Sequence, residues 1–506
     1  MSARFSSQNI KKGIMHFLIG KGLSSAAGFI ALILTVRSLS IPEFATYSIL
    51  IALVEYVTAL SGFGLTHVVL RYVPELYGHE YGYAFRTFVS RTLFLRVISL
   101  VGMAALAYLF SDKLIWLLGG QVPARVFEVF LLVASIRTGS FFLSQILDST
   151  LSQGMSQLAF MVSAIVKVVA IAYLIYINNI GLINIILVEA VGDMLAVSIM
   201  LFGIYRVLHA KRSISVPQDD ATWLKSKGRA ILRYAITGYI QHLIVLPYGG
   251  HTNRLIGGNY LTSFSMASYG FAQSLYEYCK RYLPAQLLLG VIRPVIISRY
   301  ASTKDFSSAV RLTESFFKVN ALMVAPLLIL FLVVGPEVVA VISKGKYAAS
   351  ASMVMVVLLV LLLLDTIRMQ LEVLVQAVEK YEYLLVTNFF LSCSIIPSFF
   401  LLHYFDAWVM PACNIVGLIF SNTVVLMKLK KDGFLYSHDW SSSFRLLLSS
   451  LVALLFSISI KTIFNVHWVV ICIVIATAYP LSLYFFYRAE FKSLLISLKS
   501  KSTISS

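Results

Sequence analysis

Residues 157–177 read QLAFMVSAIVKVVAIAYLIYI, an apolar run interrupted by a single charge at Lys167. A helix needs about 20 mostly apolar residues to cross the hydrocarbon core of a bilayer, and this run has that length. The whole chain is built the same way: 59% of its 506 residues are hydrophobic and 13% are charged. Soluble proteins carry roughly 25% charged residues. The composition excludes a soluble enzyme, a disordered protein and a disulfide scaffold, and it predicts an all-α polytopic membrane protein.

Similar runs recur along the chain and predict about 14 transmembrane helices. The predicted spans are 13–36, 44–69, 92–111, 126–151, 157–177, 181–205, 230–250, 262–298, 317–335, 350–377, 383–403, 408–427, 445–464 and 467–487. The eighth is long and contains Pro284 and Pro294, so we expect a bent helix there that continues as an amphipathic segment.

The distribution of basic residues predicts the orientation. The formal net charge is +18, and most of the positive charge lies in short segments between apolar runs. This pattern indicates topology signals, not a nucleic-acid groove. With the N-terminus inside, basic residues favour the cytoplasmic segments by roughly three to one. Both termini are therefore predicted to be cytoplasmic.

The longest cytoplasmic link divides the spans into two groups of six, followed by two more. This predicts an N-terminal six-helix lobe at 1–206, a linker at 207–229, a second six-helix lobe at 230–430, a cytoplasmic loop at 431–444, two additional helices at 445–488 and a cytoplasmic tail at 489–506. Two equal helical groups suggest a duplicated transporter.

Charged side chains within the spans are the candidate functional residues, because a charge at membrane depth costs about 2.5–3.5 kcal/mol on insertion scales. The predicted substrate-binding cations are Lys21, Arg137, Lys167, Lys280 and Arg368. The predicted charge-balancing or ion-coupling acids are Glu55, Glu189, Asp193 and Asp365. Salt bridges between helices, or snorkelling in the case of Lys21, are the structural alternatives.

Spacing groups some of these residues. Glu189 and Asp193 are four residues apart and share one helix face, where a cation or a proton must join them. Asp365, Arg368 and Glu372 form a second stripe, which either faces the interior or meets basic residues of the eighth span. Basic side chains at membrane depth suit a phosphate or pyrophosphate group better than a metal cation.

Sequence signatures of catalysis are missing. The chain has no Walker A sequence, no Gly-x-Ser-x-Gly and no His-Glu-x-x-His. Its four cysteines, Cys279, Cys393, Cys413 and Cys472, lack metal-ligand spacing. We therefore predict that the chain is not an enzyme and uses neither a cofactor nor a metal.

The first ninety residues resemble a known family. A basic pair, Lys11-Lys12, precedes a Gly/Ser/Ala-rich first span, and Arg37-Ser38-Leu39-Ser40-Ile41-Pro42-Glu43-Phe44-Ala45-Thr46-Tyr47, Ser61-Gly62-Phe63-Gly64-Leu65 and Arg71-Tyr72 follow. Asn253-Arg254-Leu255-Ile256-Gly257-Gly258 and Ala267-Ser268-Tyr269 give a second, weaker echo. These segments resemble the polysaccharide transporter branch, the O-antigen (oligosaccharide) flippases, of the multidrug/oligosaccharidyl-lipid/polysaccharide exporter (MOP) superfamily. Asn253 stands where that family often has Asp, and Ser48 where it usually has Gly.

The resemblance implies two lobes in a V-shaped arrangement and alternating access through a cationic central cavity. It implies a bacterial inner-membrane flippase for an undecaprenyl-pyrophosphate-linked oligosaccharide repeat unit, used in O-antigen or another surface polysaccharide, with the bilayer and a polysaccharide polymerase as further contacts. Two alternatives stay open. One is a cation-coupled multidrug exporter of the same superfamily, and the other is an integral-membrane polysaccharide polymerase or ligase.

Overall fold

The computed structural model describes residues 7–78, 82–120, 122–210, 218–283, 286, 293, 296, 297, 299, 300, 302–380 and 382–487. Every regular element named in that part of the chain is an α-helix. The chain forms two compact units, Met1–Ala267 and Ser268–Ser506. The prediction of an all-α polytopic membrane protein is confirmed.

The helices of the first unit are α1 (Ser7–Ser38), α2 (Ile41–Leu60), α3 (Leu65–Gly78), α4 (Gly82–Leu109), α5 (Ser111–Leu117), α6 (Ala124–Ser149), α7 (Gln153–Tyr176), α8 (Leu182–Ala210), α9 (Gln218–Val245) and α10 (Gly250–Tyr260). Helix α11 (Ser263–Tyr282) begins in the first unit and ends in the second. The second unit continues with α12 (Phe306–Ser343), α13 (Ala348–Ala377), α14 (Glu382–Ser392), α15 (Ile395–Leu401), α16 (Val409–Lys431), α17 (Trp440–Phe464) and α18 (Trp468–Phe486).

Eleven helical segments in the described residues are long and apolar enough to cross a membrane. Each corresponds to one of the predicted spans, with α14 and α15 together forming the segment Glu382–Leu401. The predicted spans 13–36, 230–250 and 262–298 are not among the eleven. Helices α1, α9 and α11 occupy much of those ranges, and their crossing of the membrane stays a prediction.

Several predicted boundaries are wrong. The span predicted at 44–69 is two helices, because α2 ends at Leu60 and α3 begins at Leu65. Between them Phe63 (φ 43°) and Gly64 (φ 72°) take left-handed conformations that a helix cannot contain. The span predicted at 383–403 is also interrupted, between Ser392 and Ile395.

Other predicted spans differ in length from the observed helices. Helices α4 and α12 extend well beyond the predicted 92–111 and 317–335. The eighth span was predicted to run to residue 298, but its helix α11 ends at Tyr282. Residues 284, 285 and 287–292, with most of the predicted bend, lie outside the described residues, and so does the tail at 489–506.

The start of α2 is fixed by its own sequence and by a distant helix. The Ser40 backbone N–H donates to Glu43 Oε2 at 2.9 Å, and the Glu43 backbone N–H donates to Ser40 Oγ at 3.4 Å, which is a capping box. The other carboxylate oxygen of Glu43 accepts from the backbone N–H of Leu182 at 3.2 Å, at the start of α8. One acid from the first loop therefore satisfies the N-termini of two helices.

Apolar packing holds each unit together. In the first unit, buried side chains of α3, α4, α6 and α8 surround the Trp223 ring of α9, which meets Tyr72 and Phe88 edge-on. In the second unit, one cluster joins α12, α13 and α16, and another joins α12 to α17 and α18. These contacts hold the helices that carry the charged side chains in fixed register.

Candidate functional site

Four charged side chains of α6, α7 and α8 form a closed network, here called the charge quartet: Arg137, Lys167, Glu189 and Asp193. Arg137 Nε donates to Asp193 Oδ2 at 2.7 Å, and its Nη2 donates to Glu189. The Lys167 ammonium lies 2.8 Å from Glu189 Oε2 and 2.7 Å from Asp193 Oδ1. All four side chains are between 8% and 15% exposed. Each cation therefore bridges both acids.

The local sequence explains why the quartet closes. Glu189 and Asp193 stand one helical turn apart on α8, and Gly192 lies between them. A Cβ on Gly192 would lie 2.4 Å from Lys167 Cε, so only glycine leaves room for the lysine stem to reach both acids. The Tyr47 hydroxyl donates to Glu189 Oε1 at 3.0 Å and adds α2 to the network.

The quartet is electrically neutral, because two cations face two carboxylates. The cation predicted to join Glu189 and Asp193 is thus supplied twice, by Arg137 and by Lys167. An outside anion reaches these cations only by exchanging with the carboxylates. The arrangement is the salt bridge between helices that stood as the structural alternative, and substrate binding by Arg137 and Lys167 stays a prediction.

The second unit holds a smaller ion pair. The Lys280 ammonium of α11 lies 2.6 Å from Asp365 Oδ2 of α13 and 5.9 Å from the centre of the Tyr276 ring. The side chain of Asp365 is 10% exposed and that of Lys280 is 34% exposed. The α13 stripe therefore meets a basic residue of the predicted eighth span, one of the two alternatives that its spacing left open.

Arg368, one turn further along α13, has different partners. Its Nη2 lies 3.0 Å from Glu372 Oε1 and donates to Asn388 Oδ1 of α14 at 3.0 Å. The stripe of two acids and one arginine is thus neutralised by one internal pair and one pair with α11. Binding of substrate by Arg368 stays a prediction.

The remaining predicted residues lie elsewhere in the first unit. Lys21 is half-buried on α1, which packs against α7, and it interacts electrostatically with Asp148 at the end of α6. Glu55 of α2 lies 3.8 Å from His242 Nε2 of α9, with both side chains about two-fifths exposed. The structure does not bring Glu55 into the charge quartet.

A further polar junction connects α12 to the start of α17. The Lys318 ammonium lies 2.7 Å from Asp439 Oδ2, and this hydrogen bond lowers the pKa of the Asp439 carboxyl below its usual range. Glu314 Oε1 lies 3.2 Å from His438 Nδ1 and accepts from the Asp439 backbone N–H at 2.5 Å. Asp439 also caps α17 by accepting from the Ser442 backbone N–H at 3.1 Å.

Three further residues shape the charged contacts although none of them was predicted as a site residue. Tyr47, which ends the first motif of the family resemblance, and Gly192, which lies between the two spaced acids, complete the charge quartet. Arg96 of α4 is 3% exposed, and its Nη1 donates to the Ser61 carbonyl at 2.7 Å, where α2 ends. A cation at a helix C-terminus is favourable, so Arg96 stabilises the break after α2.

No protein-family model and no curated protein sequence matches the chain. Solved structures do match it. The inward closed conformation of the lipid II flippase MurJ is similar over 94% of this chain and 99% of its own, with a TM-score of 0.70 and 12% identity.

Two MATE transporters are also similar. An inward-facing multidrug resistance MATE family transporter of the MOP superfamily matches 82% of this chain and 98% of its own, with a TM-score of 0.55 and 14% identity. The MATE transporter VcmN of Vibrio cholerae matches 83% and 94%, with a TM-score of 0.54 and 14% identity. These likenesses show that the chain has the fold of MOP-superfamily transporters.

Proposed function

We propose that this protein is a flippase that carries an undecaprenyl-pyrophosphate-linked oligosaccharide across the bacterial inner membrane by alternating access. The observation that carries the proposal is the likeness over 94% of the chain to a lipid II flippase. A cation in each unit, Lys167 inside a membrane-length helix and Lys280 on α11, supports a cargo with a phosphorylated headgroup. The fold accounts for translocation, and the charged side chains account for the choice of cargo.

The charge quartet provides the exchange step in this proposal. When the cargo is absent, Arg137 and Lys167 are neutralised by Glu189 and Asp193. If a headgroup diphosphate displaces both carboxylates, the two cations meet an anion of matching charge. Cargo binding then requires the charge quartet to open.

The test is a sidedness assay in proteoliposomes that contain the full-length protein and an undecaprenyl-pyrophosphate-linked oligosaccharide. We expect Lys21→Ala, Arg137→Ala and Lys167→Ala to slow translocation at least tenfold, while the exposed Lys113→Ala retains the parent rate. Unchanged transport in the Lys21 and Arg137 variants would remove these residues from the site. No translocation by a folded parent protein would reject this cargo.

A second candidate is a cation-coupled multidrug exporter, which the likeness to MATE transporters favours. Export of cationic dyes by cells that express the chain, with no glycan defect in its absence, would support that candidate. Gene deletion distinguishes a flippase from a membrane polymerase or ligase. Loss of a flippase traps repeat units facing the cytoplasm, whereas loss of a polymerase leaves single units displayed outside.

A further inference from the structure

The backbone hydrogen bonding of helix α12 is broken at two places, each marked by a proline. In an α-helix the N–H of each residue bonds to the carbonyl four residues earlier. Pro326 has no N–H, so the carbonyl of Leu322 loses its helical partner. At the second break Pro336 does the same to the carbonyl of Leu332, and two residues earlier Val334 leaves the helical conformation (φ −130°, ψ 22°). In lipid, such carbonyls need another donor.

At the first break a side chain of α18 supplies the donor that the Leu322 carbonyl lacks. The Tyr479 hydroxyl donates to the Leu322 carbonyl at 3.0 Å, the acceptor that Pro326 leaves open. Tyr479 is 5% exposed, so its hydroxyl is held away from solvent. The match between the proline position and the accepted carbonyl follows from the four-residue spacing of the helix.

At the second break α17 supplies a donor to the carbonyl beside that of Leu332. The Lys461 ammonium donates to the Val333 carbonyl at 2.6 Å and pairs with Glu337 Oε1 at 2.6 Å. Val333 precedes the break and Glu337 follows it, so one side chain holds both sides of the bend. A charged donor makes a shorter and stronger hydrogen bond than a neutral one.

Apolar contacts surround the same two places. The buried side chains that connect α12 with α17 and α18 are Ile329, Val333, Val334, Ala453, Ile471, Ile475 and Tyr479. The three members on α12, Ile329, Val333 and Val334, lie on the stretch that includes the second break. The final two helices thus contact α12 where its own hydrogen bonding fails.

We infer that α17 and α18 form a brace that holds α12 at its two breaks, with Lys461 and Tyr479 as its positioning residues. Helix α12 is also bonded to α13, since Asn320 Nδ2 donates to Thr366 Oγ1 at 3.3 Å.

The inference is tested by hydrogen exchange, followed by mass spectrometry, on the full-length protein in nanodiscs. Tyr479→Phe removes one hydroxyl and is expected to speed amide exchange about fivefold or more at 322–330. Lys461→Met is expected to do the same at 333–341. Lys461→Arg, which keeps a donor, should restore slow exchange. Tyr173→Phe and Lys430→Met, at exposed positions, are the matched controls.

The local pattern distinguishes a brace from general stabilisation. Each variant should accelerate exchange at its own break while exchange in α6 of the first unit stays at the parent rate. Parent-like exchange across 318–342 in the double variant would overturn the inference, and so would equal acceleration throughout the chain. Because Tyr479→Phe keeps the packed ring, it tests the brace at the first break even if Lys461→Met does not fold. Neither readout depends on which cargo the protein carries.

Discussion

Replacing Lys167 with methionine removes one of the two positive charges of the charge quartet and leaves a net charge of −1 among side chains that are 8–15% exposed. Removing one partner from a buried ion pair costs about 3–5 kcal/mol, because the remaining charge stays buried without compensation. Asp193→Asn leaves the opposite excess, a net charge of +1, and we expect a similar cost. Each single variant should therefore be strongly destabilised.

The double variant decides whether the quartet is one unit. Lys167→Met with Asp193→Asn restores neutrality and leaves Arg137 paired with Glu189. If the two sites were independent, the costs would add to about 6–10 kcal/mol. Because they share partners, we expect the double variant to cost about 2–3 kcal/mol less than that sum.

The measurement is the free energy of unfolding of the purified full-length protein in mixed micelles, from denaturing-detergent titrations of the parent, both single variants and the double variant. Lys113→Met, an exposed lysine of the same unit, serves as the control and should change stability by less than about 0.5 kcal/mol. Additivity of the two substitutions within about 0.5 kcal/mol would refute the coupled quartet.

Three further substitutions test local features. Gly64→Ala should lower the melting temperature markedly, since φ is 72° and a Cβ would lie 2.0 Å from the Ala235 carbonyl oxygen; a melting temperature equal to the parent's would contradict this. Ser40→Ala, which removes the N-cap of α2, should cost about 1 kcal/mol in a chemical unfolding titration, and no change would show that the cap is dispensable. Asp439→Asn keeps a capping side chain but loses the charge that Lys318 stabilises. Because the pKa of Asp439 is lowered, its contribution is complete above about pH 4, the unfolded value, and is lost as pH falls through the folded pKa. The difference in melting temperature from the parent should therefore shrink between pH 5 and the most acidic pH tolerated, and a constant difference would count against this ion pair.

Much of the architecture follows from hydropathy alone. Eleven apolar runs appear as helices at the predicted places, because a bilayer-length apolar segment has few alternatives to a helix. Breaks inside those runs are harder to predict. The Ser61–Gly64 turn is short and sufficiently apolar for the span count to continue to 69.

The sequence indicated which charged residues belong to the candidate site, but it did not indicate which of them pair with one another. The four-residue spacing of Glu189 and Asp193 predicted that a cation or a proton joins them, and the structure places cations there. It did not reveal that Arg137 and Lys167 each contact both acids, because such contacts depend on how three helices pack. Glu55 shows the same limit, since its neighbour is His242 on α9, distant in sequence.

The double role of Glu43 has a consequence for synthesis. Its carboxylate reaches the N–H of Leu182, which lies 139 residues further along the chain. At a translation rate of about 5–20 residues per second, roughly 7–28 s pass between the emergence of the two groups from the ribosome. During that interval Glu43 has only its contacts within the first loop, because its partner at Leu182 has not been made. A chain truncated before residue 182 would therefore keep the capping box of α2 and lack the hydrogen bond that connects it to α8.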